Sequence, residues 1–272
     1  MSQLDISTPA HSGGSIMAFL GAASRALCSV ASAMRSTKIA IGGAIIILLV
    51  LGGVFADRLT PYDPGVQSIR EKLLPPLAET ALRGPHILGT DYLGRDVLSR
   101  LIHGSRISLI VGVASVMLSA LIGAFLGAIG GYYGGIVDEI IGKISEIFLA
   151  FPFLLLAIVI MAFLGPGLGN VILALVLSRW VNFARVMRGE VLSLRNREFV
   201  AAARALGASD AYLLIRHIAP HTAPVLILVA TFEIALVIIY ESSLSFLGLG
   251  LPPSIPSTSS TLQRGPVLDA RL

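Results

Sequence analysis

Two glutamates, Glu233 and Glu241, are the residues of this sequence whose positions most suggest chemistry. Glu233 lies in the middle of an apolar stretch that runs from Pro224 to Tyr240, and Glu241 follows directly after it. An ionisable group at mid-membrane depth is costly in lipid, so it usually faces protein or a water-filled cavity. Both glutamates are therefore candidates for lining a hydrophilic pathway through the membrane. For Glu233 two alternatives stay open, a pairing with a partner subunit and a bond to a neighbouring helix.

The sequence has no pattern typical of a catalytic centre or a metal site. The five histidines are scattered along the chain, at His11, His86, His103, His217 and His221. The His-Glu-x-x-His motif of a metalloprotease does not occur, and repeated polar residues that would line a channel are also lacking. The single cysteine, Cys28, excludes a disulfide framework and a Cys-based metal site. The glycine-rich ATP-binding loop is absent. We expect no catalytic residue, no metal and no cofactor on this chain.

The composition indicates an integral membrane protein. Of 272 residues, 55% are hydrophobic and only 13% are charged, whereas a soluble domain has about a quarter charged residues. Lys and Arg outnumber Asp and Glu by 20 to 16. These basic residues flank apolar stretches, where they set the topology of a membrane protein. Binding to nucleic acid is therefore not expected.

Five apolar stretches are predicted to cross the lipid membrane, because about 20 apolar residues span its hydrocarbon core. They are residues 39–56, 107–133, 144–164, 171–183 and 224–240. Pro152 is predicted to kink the third span. Arg179, in the fourth, is expected to extend to the nearby membrane interface.

Glycines recur at every fourth position along the second span and just beyond it. They are Gly123, Gly127, Gly131 and Gly135. This spacing places small residues on one helix face, where a second helix can approach closely. We expect the four glycines to mark a helix-packing face.

The spans divide the chain into segments of different character. Residues 1–38 are predicted to form an N-terminal cytoplasmic tail, with a candidate interfacial helix at 15–36. Residues 57–106 form a polar extracytoplasmic segment. The core at 107–251 contains a basic loop at 184–223, which favours a cytoplasmic N-terminus, and residues 252–272 form an atypical polar tail.

The basic loop contains a helix-prone island between Arg197 and Pro220. Residues 200–206 are rich in Ala, Leu and Arg, which favour a helix, and Gly207 is predicted to end it. Ser209 is predicted to cap a second short helix, which Pro220 ends. The pattern predicts a helix, a glycine bend and another helix on the cytoplasmic side.

This island resembles the "EAA" loop of inner-membrane permease subunits in ATP-binding-cassette (ABC) importers. Ala202, Ala203, Gly207 and Pro220 fall in register with that loop, whereas Ala201 stands where the family usually has Glu. The resemblance implies that the island docks in a groove on a cytoplasmic ATPase, and an ordinary basic loop is the alternative. The candidate coupling residues are Phe199, Ala201, Ala202, Ala203, Gly207, Ala208 and Pro220.

A second motif, over residues 86–109, resembles the "C" permease subunits of dipeptide, oligopeptide and nickel importers, as does the stretch 241–250. The motif contains Leu88-Gly89-Thr90-Asp91 and Leu93-Gly94-Arg95-Asp96. Thr90 and Asp91 are predicted to cap the helix that follows. Charged residues at helical spacing predict a salt-bridged collar at the membrane surface.

These resemblances imply an all-α polytopic membrane protein with a MetI-like permease fold, in the inner membrane of a bacterium. They also imply a second permease subunit, two ATP-binding subunits that hold ATP and Mg, and an extracytoplasmic solute-binding protein. The expected substrates are di- and oligopeptides, with nickel as the alternative. Five spans are predicted where the family has six, so a frameshift or premature stop near residue 253 is expected, and a non-functional remnant is a further alternative.

Overall fold

The computed structural model describes residues 37–80 and 84–250. The chain divides into two compact units, residues 1–49 and 50–272. The described part of the first unit is one apolar helix, α1, which spans Thr37–Val54 and so ends in the second unit. The interfacial helix expected at 15–36 and the polar tail at 252–272 lie outside the described residues.

Three long helices and one bent pair make up most of the second unit. The helices are α2 (Ala56–Leu59), α3 (Val97–Tyr133), α4 (Gly135–Ala150), α5 (Phe153–Leu164), α6 (Leu168–Leu194), α7 (Glu198–Ala205), α8 (Asp210–Tyr212) and α9 (Ala219–Phe246). A π-helical turn at Leu213–Ile218 joins α8 to α9, so this helix is continuous over Asp210–Phe246. Within the described residues, α3, α6 and the α8–α9 helix are long and apolar enough to cross a membrane, and the bent α4–α5 pair is a fourth candidate.

Several helix bounds differ from those predicted. The second span was predicted to begin at residue 107, yet α3 begins at Val97, because its first turns bury Ser99 and Arg100 against the polar segment instead of exposing them to water. The fourth span was predicted to end at residue 183, whereas the helix that contains it, α6, extends to Leu194. At Pro152 the chain bends by 89° and the helix stops, because proline cannot donate a backbone hydrogen bond.

The polar segment after α1 consists of short elements, since its prolines interrupt longer ones. Besides α2, it has a 3-10 turn at Ile69–Glu71 and two antiparallel strands, β1 (Ala78–Thr80) and β2 (Gly84–His86). Two buried contacts stabilise it: Arg95 forms an ion pair with Asp91, and the His86 ring is within hydrogen-bond distance of the Asp96 carboxylate. These contacts lie in the turns before α3 and not along the helix, and a collar at the membrane surface stays a prediction.

The residue that caps α3 is different from the prediction. The Asp96 carboxylate accepts a hydrogen bond from the backbone N–H of Ser99 at 2.7 Å, which makes Asp96 the N-cap. Thr90 instead donates its hydroxyl to the carbonyl of Glu71. The predicted capping role of Thr90 and Asp91 is wrong because both side chains are used within the turns before the helix.

Packing between α3 and α6 forms the centre of the molecule. Buried side chains of these two helices meet side chains of α5 and α9 in one apolar cluster. It comprises Val111, Val116, Ala157, Met161, Val171, Ala174, Leu175, Phe183, Val237 and Leu244. Helices that are apolar on nearly all sides and share one core are typical of a membrane bundle.

Three of the four glycines singled out in the sequence lie where α3 meets α6. A Cβ atom at Gly123 or Gly127 would overlap the backbone carbonyl oxygens of Trp180 and Ala184. At Gly131 the space is only slightly larger. Gly135 does not share this role: it begins α4 with a φ of +56°, and a Cβ there would meet nothing within 4 Å. Its part in helix packing was wrongly predicted because Gly134 and Gly135 turn the chain away from the α3 face.

Candidate functional site

The EAA-like segment, residues 197–220, has the predicted helix, glycine bend and second helix. The bend is a Schellman motif: the Ala208 N–H donates to the Ala203 carbonyl, and the Gly207 N–H donates to the Arg204 carbonyl. Gly207 has a φ of +85°, in the left-handed region that favours glycine. No atom would obstruct a Cβ there, so the backbone conformation, not space, requires glycine.

The second half of the segment continues without a break into the long helix α9, contrary to the prediction. Ser209 caps α8 by accepting the Tyr212 N–H, as predicted. Pro220 was expected to end this helix, but it lies within the first turn of α9. Proline has no N–H and clashes with the carbonyl four residues earlier. The π-helical turn before it, where the Ala219 N–H donates five residues back to Leu214, widens the backbone and accommodates the ring.

The two sides of the EAA-like segment differ in burial. Val200, Leu213 and Ile218 are buried in a cluster with the ends of α3 and α6. On the other side Leu206 is 90% exposed and Tyr212 52%, and both line one surface depression. Isolated apolar side chains on a surface are common, but large exposed ones that border the same depression favour a protein-binding surface.

The candidate coupling residues of the sequence lie mostly on the exposed side. Ala201, Ala202, Gly207 and Pro220 are exposed, while Ala203 and Ala208 are half-buried. Phe199 is 38% exposed, and its ring stacks on that of His221 at 5.2 Å. Between α7 and α8 a surface depression of about 600 Å³ opens, and its lining is Ala203, Leu206, Gly207, Ala208, Ser209, Tyr212 and His217.

Tyr132, which sequence reasoning missed, joins both halves of the segment to α3. Its hydroxyl donates to Oδ1 of Asp210 at 2.6 Å and accepts from Nη2 of Arg204 at 3.2 Å. The hydrogen bond to Tyr132 is also the main reason that the pKa of Arg204 is raised. The partners are 72 and 78 residues away in sequence, so no local pattern points to this tyrosine.

Arg195 fixes the same end of α3. Its Nη1 donates to the carbonyls of Gly131 and Tyr132, at 3.0 and 3.2 Å. Carbonyls in the last turn of a helix have no partner within that helix, and a cation there also interacts favourably with the helix dipole. The end of α6, where Arg195 lies, is therefore tied to the end of α3.

Glu233 forms a buried network with two residues of α6. Its carboxylate accepts hydrogen bonds from Nε and Nη2 of Arg179, at 2.7 and 2.6 Å, and from Asn182 at 2.9 Å. The guanidinium also lies 5.7 Å from the ring centre of Phe153 and 5.3 Å from that of Tyr240. Bidentate hydrogen bonds from a guanidinium offset much of the free-energy cost of burying a carboxylate.

This network corrects the prediction for Arg179 and favours one of the two alternatives for Glu233. Arg179 does not extend to the interface, because a buried carboxylate on α9 is within reach. Of the alternatives for Glu233, the structure has the bond to a neighbouring helix. Glu241 is a separate buried group, which accepts a hydrogen bond from Ser245 at 2.9 Å. A role for either glutamate in a pathway stays a prediction.

Within the part of the chain that the structure describes, no group of three or more His, Cys, Asp or Glu side chains is arranged to hold a metal ion. The polar residues of this region instead join helices to one another. The arrangement suits a protein that transmits motion between helices, because a surface segment is anchored by hydrogen bonds to the ends of two long spans.

Comparison with known proteins places these features in a family. A family model described as "Binding-protein-dependent transport system inner membrane component" matches residues 119–265. The chain is 40% identical to the dipeptide transport system permease protein DppC of Bacillus subtilis, over 80% of this chain and 67% of that protein. It is 39% identical to the oligopeptide transport system permease protein OppC of the same organism, over 85% and 74% of the two chains. Identity to the glutathione transport system permease protein GsiD of Salmonella typhimurium is 43%, over 82% and 72%.

A solved structure agrees on the fold. One chain of the MetNI methionine ABC transporter, in inward-facing conformations, superposes with a TM-score of 0.50 and 23% identity, over 56% of this chain and 76% of that one. The bundle described above is thus a MetI-like permease fold, and the protein crosses the membrane several times. The family match includes the EAA-like segment and Glu233. The chain belongs to the family of binding-protein-dependent transport system inner membrane components.

Proposed function

We propose that this chain is a permease subunit of an ATP-driven importer of di- and oligopeptides. The observation that carries the proposal is the EAA-like segment, which exposes Leu206 and Tyr212 on one side and is anchored to α3 and α6 on the other. The peptide substrate is supported by the relatives, which are named for dipeptide, oligopeptide and glutathione transport.

In this proposal the exposed side of the segment docks on a cytoplasmic ATPase. A second permease subunit completes the pathway, and a solute-binding protein delivers the peptide from outside. ATP and Mg are bound by the two ATPase subunits, not by this chain. When ATP draws the ATPases together, the segment moves with them and the helices rock between inward-open and outward-open arrangements.

Uptake in cells tests the substrate. Cells that lack the gene, and the same cells with the gene restored, are given radiolabelled dialanine or nickel ions in separate assays. The proposal predicts that restoring the gene restores dialanine uptake. Unchanged dialanine uptake together with reduced nickel uptake in the deletion strain would assign the chain to nickel import instead.

Replacing Leu206 with aspartate is expected to weaken docking of the ATPase. Leu206 is 90% exposed, so the change does not disturb the fold, but it puts a charge where an apolar contact is expected. We expect ATPase retained on the purified complex, and dialanine uptake, to fall about tenfold, since losing one central apolar contact costs more than about 1 kcal/mol.

Ile69→Asp is the matched control for this change. Ile69 is 88% exposed, but it lies in the polar segment before α3, on the other side of the predicted first span. Its replacement is expected to leave ATPase retention unchanged. Equal retention in wild type and Leu206→Asp would place the ATPase contact elsewhere on the chain.

A further inference from the structure

A single hydroxyl group connects three helices at one end of the molecule. Tyr132 is the penultimate residue of α3, and its hydroxyl contacts Arg204 on α7 and Asp210 on α8. These two partners lie on opposite sides of the Gly207 bend. Among the described residues they form no direct ion pair with each other, so the phenol is the group through which they meet.

The surroundings of Tyr132 leave its ring little freedom to move. The residue is 8% exposed and packs in the cluster with Met187 and Val191 of α6, Val200 of α7 and Leu213 of the π-helical turn. The Arg204 guanidinium also lies 5.9 Å from the centre of the ring. A buried aromatic ring with a satisfied hydroxyl is a rigid connection between the elements that surround it.

Close backbone packing links α3, and with it Tyr132, to α6. Gly123, Gly127 and Gly131 bring the α3 backbone into direct contact with the α6 backbone, with no side chain between them to absorb a displacement. Arg195 ties the ends of the two helices together through the carbonyls of Gly131 and Tyr132. A displacement of Tyr132 is therefore expected to move α3 and α6 together, because closely packed helices deform little.

From this arrangement we infer that Tyr132 is the positioning residue through which motion of the EAA-like segment reaches the membrane helices. The inference rests on the proposed function. Its hydroxyl fixes the angle between α7 and α8 and attaches both to α3. Without the hydroxyl, the segment still docks on the ATPase through its exposed side, but its motion is passed on less completely. The loss is one of coupling, not of assembly or of ATP hydrolysis.

The experiment compares Tyr132→Phe with Tyr133→Phe. Phenylalanine keeps the buried ring and removes only the hydroxyl, so the packing at position 132 is retained. Tyr133 is the matched control, because it is 55% exposed and its hydroxyl makes no hydrogen bond within the described residues. Both variants are assembled with the second permease, the ATPases and the binding protein, and reconstituted in lipid vesicles.

Three quantities are measured: ATPase retained on the complex, ATP hydrolysed, and radiolabelled dialanine imported. For Tyr132→Phe we expect normal retention and a rise of about tenfold in ATP hydrolysed per dialanine imported, as for the loss of a hydrogen bond to a charged group. Tyr133→Phe is expected to stay within about twofold of wild type. An Asp210→Asn change added to Tyr132→Phe is expected to have little further effect, since the pair acts as one unit.

Other outcomes overturn the inference in recognisable ways. If Tyr132→Phe matches Tyr133→Phe in the ratio of ATP to dialanine, the hydroxyl does not transmit motion. If Tyr132→Phe loses the ATPase, its role is to shape the docking surface. If the wild-type complex binds ATPase but imports no dialanine, the peptide importer proposal fails, and the inference that rests on it fails with it.

Discussion

Replacing Glu233 with alanine is expected to prevent this protein from accumulating in the membrane. The change leaves the Arg179 guanidinium, whose side chain is only 12% exposed, without its carboxylate partner between α6 and α9. Breaking a buried ion pair by removing one partner costs about 3–5 kcal/mol, which is a large fraction of the stability of a protein domain. We expect a lower thermal unfolding temperature in detergent and a smaller amount of membrane-inserted chain.

The double change of Arg179→Gln with Glu233→Gln separates charge from packing. It removes both charges together and leaves two amides of similar size that can hydrogen-bond to each other, so most of the lost stability is expected to return. Glu146→Ala, at an exposed position on α4, is the control and is expected to change stability by less than about 0.5 kcal/mol. Equal stability of wild type and Glu233→Ala would show that the ion pair does not hold α6 and α9 together.

Replacing Gly127 with alanine is the second change with a large expected effect. The new Cβ would overlap the backbone of Ala184, and a backbone cannot move aside as a side chain does. Helices α3 and α6 would have to separate, so we expect a loss of about 1–3 kcal/mol, as for other overpacked cores. Unfolding of the purified chain in detergent, followed by temperature, measures it.

Gly189→Ala tests the same substitution in the same helix pair without the overlap. Gly189 lies on α6, and a Cβ there would meet no atom within 4 Å. Alanine favours a helix over glycine by roughly 1 kcal/mol, so this change is expected to be neutral or slightly stabilising. The two substitutions therefore have opposite expected signs. If Gly127→Ala proves as stable as Gly189→Ala, the close approach of α3 and α6 is not essential.

The sequence predicts well what depends on local spacing. Within the described residues, apolar length locates three spanning helices and the bent pair, whereas the first predicted span is a shorter apolar helix. The four-residue glycine repeat locates the face where α3 meets α6. The bend at Gly207 and the Ser209 cap follow from turn and capping preferences of single residues. These features need no knowledge of which distant residues meet.

Contacts between distant residues explain most of what the sequence does not predict. Arg179 was expected at the interface because its partner, Glu233, lies 54 residues away. Tyr132 was missed for the same reason. Pro220 ordinarily predicts the end of a helix, but a π-helical turn, which has no clear sequence signal, lets the helix continue. The polar first turns of α3 were predicted to be part of the extracytoplasmic segment. Their burial depends on how the preceding residues fold, which local sequence does not show.

Site-directed cross-linking at Leu206 tests the central claim, that the EAA-like segment contacts the ATPase, most directly. Leu206 is replaced by cysteine after Cys28, the single native cysteine, is changed to serine. The assembled complex is then treated with a short thiol-to-amine cross-linker. We predict a covalent product of this chain with the ATPase, and none from a cysteine placed at Ile69. An intact complex that gives no product from position 206 would contradict the proposal that this segment is the docking surface.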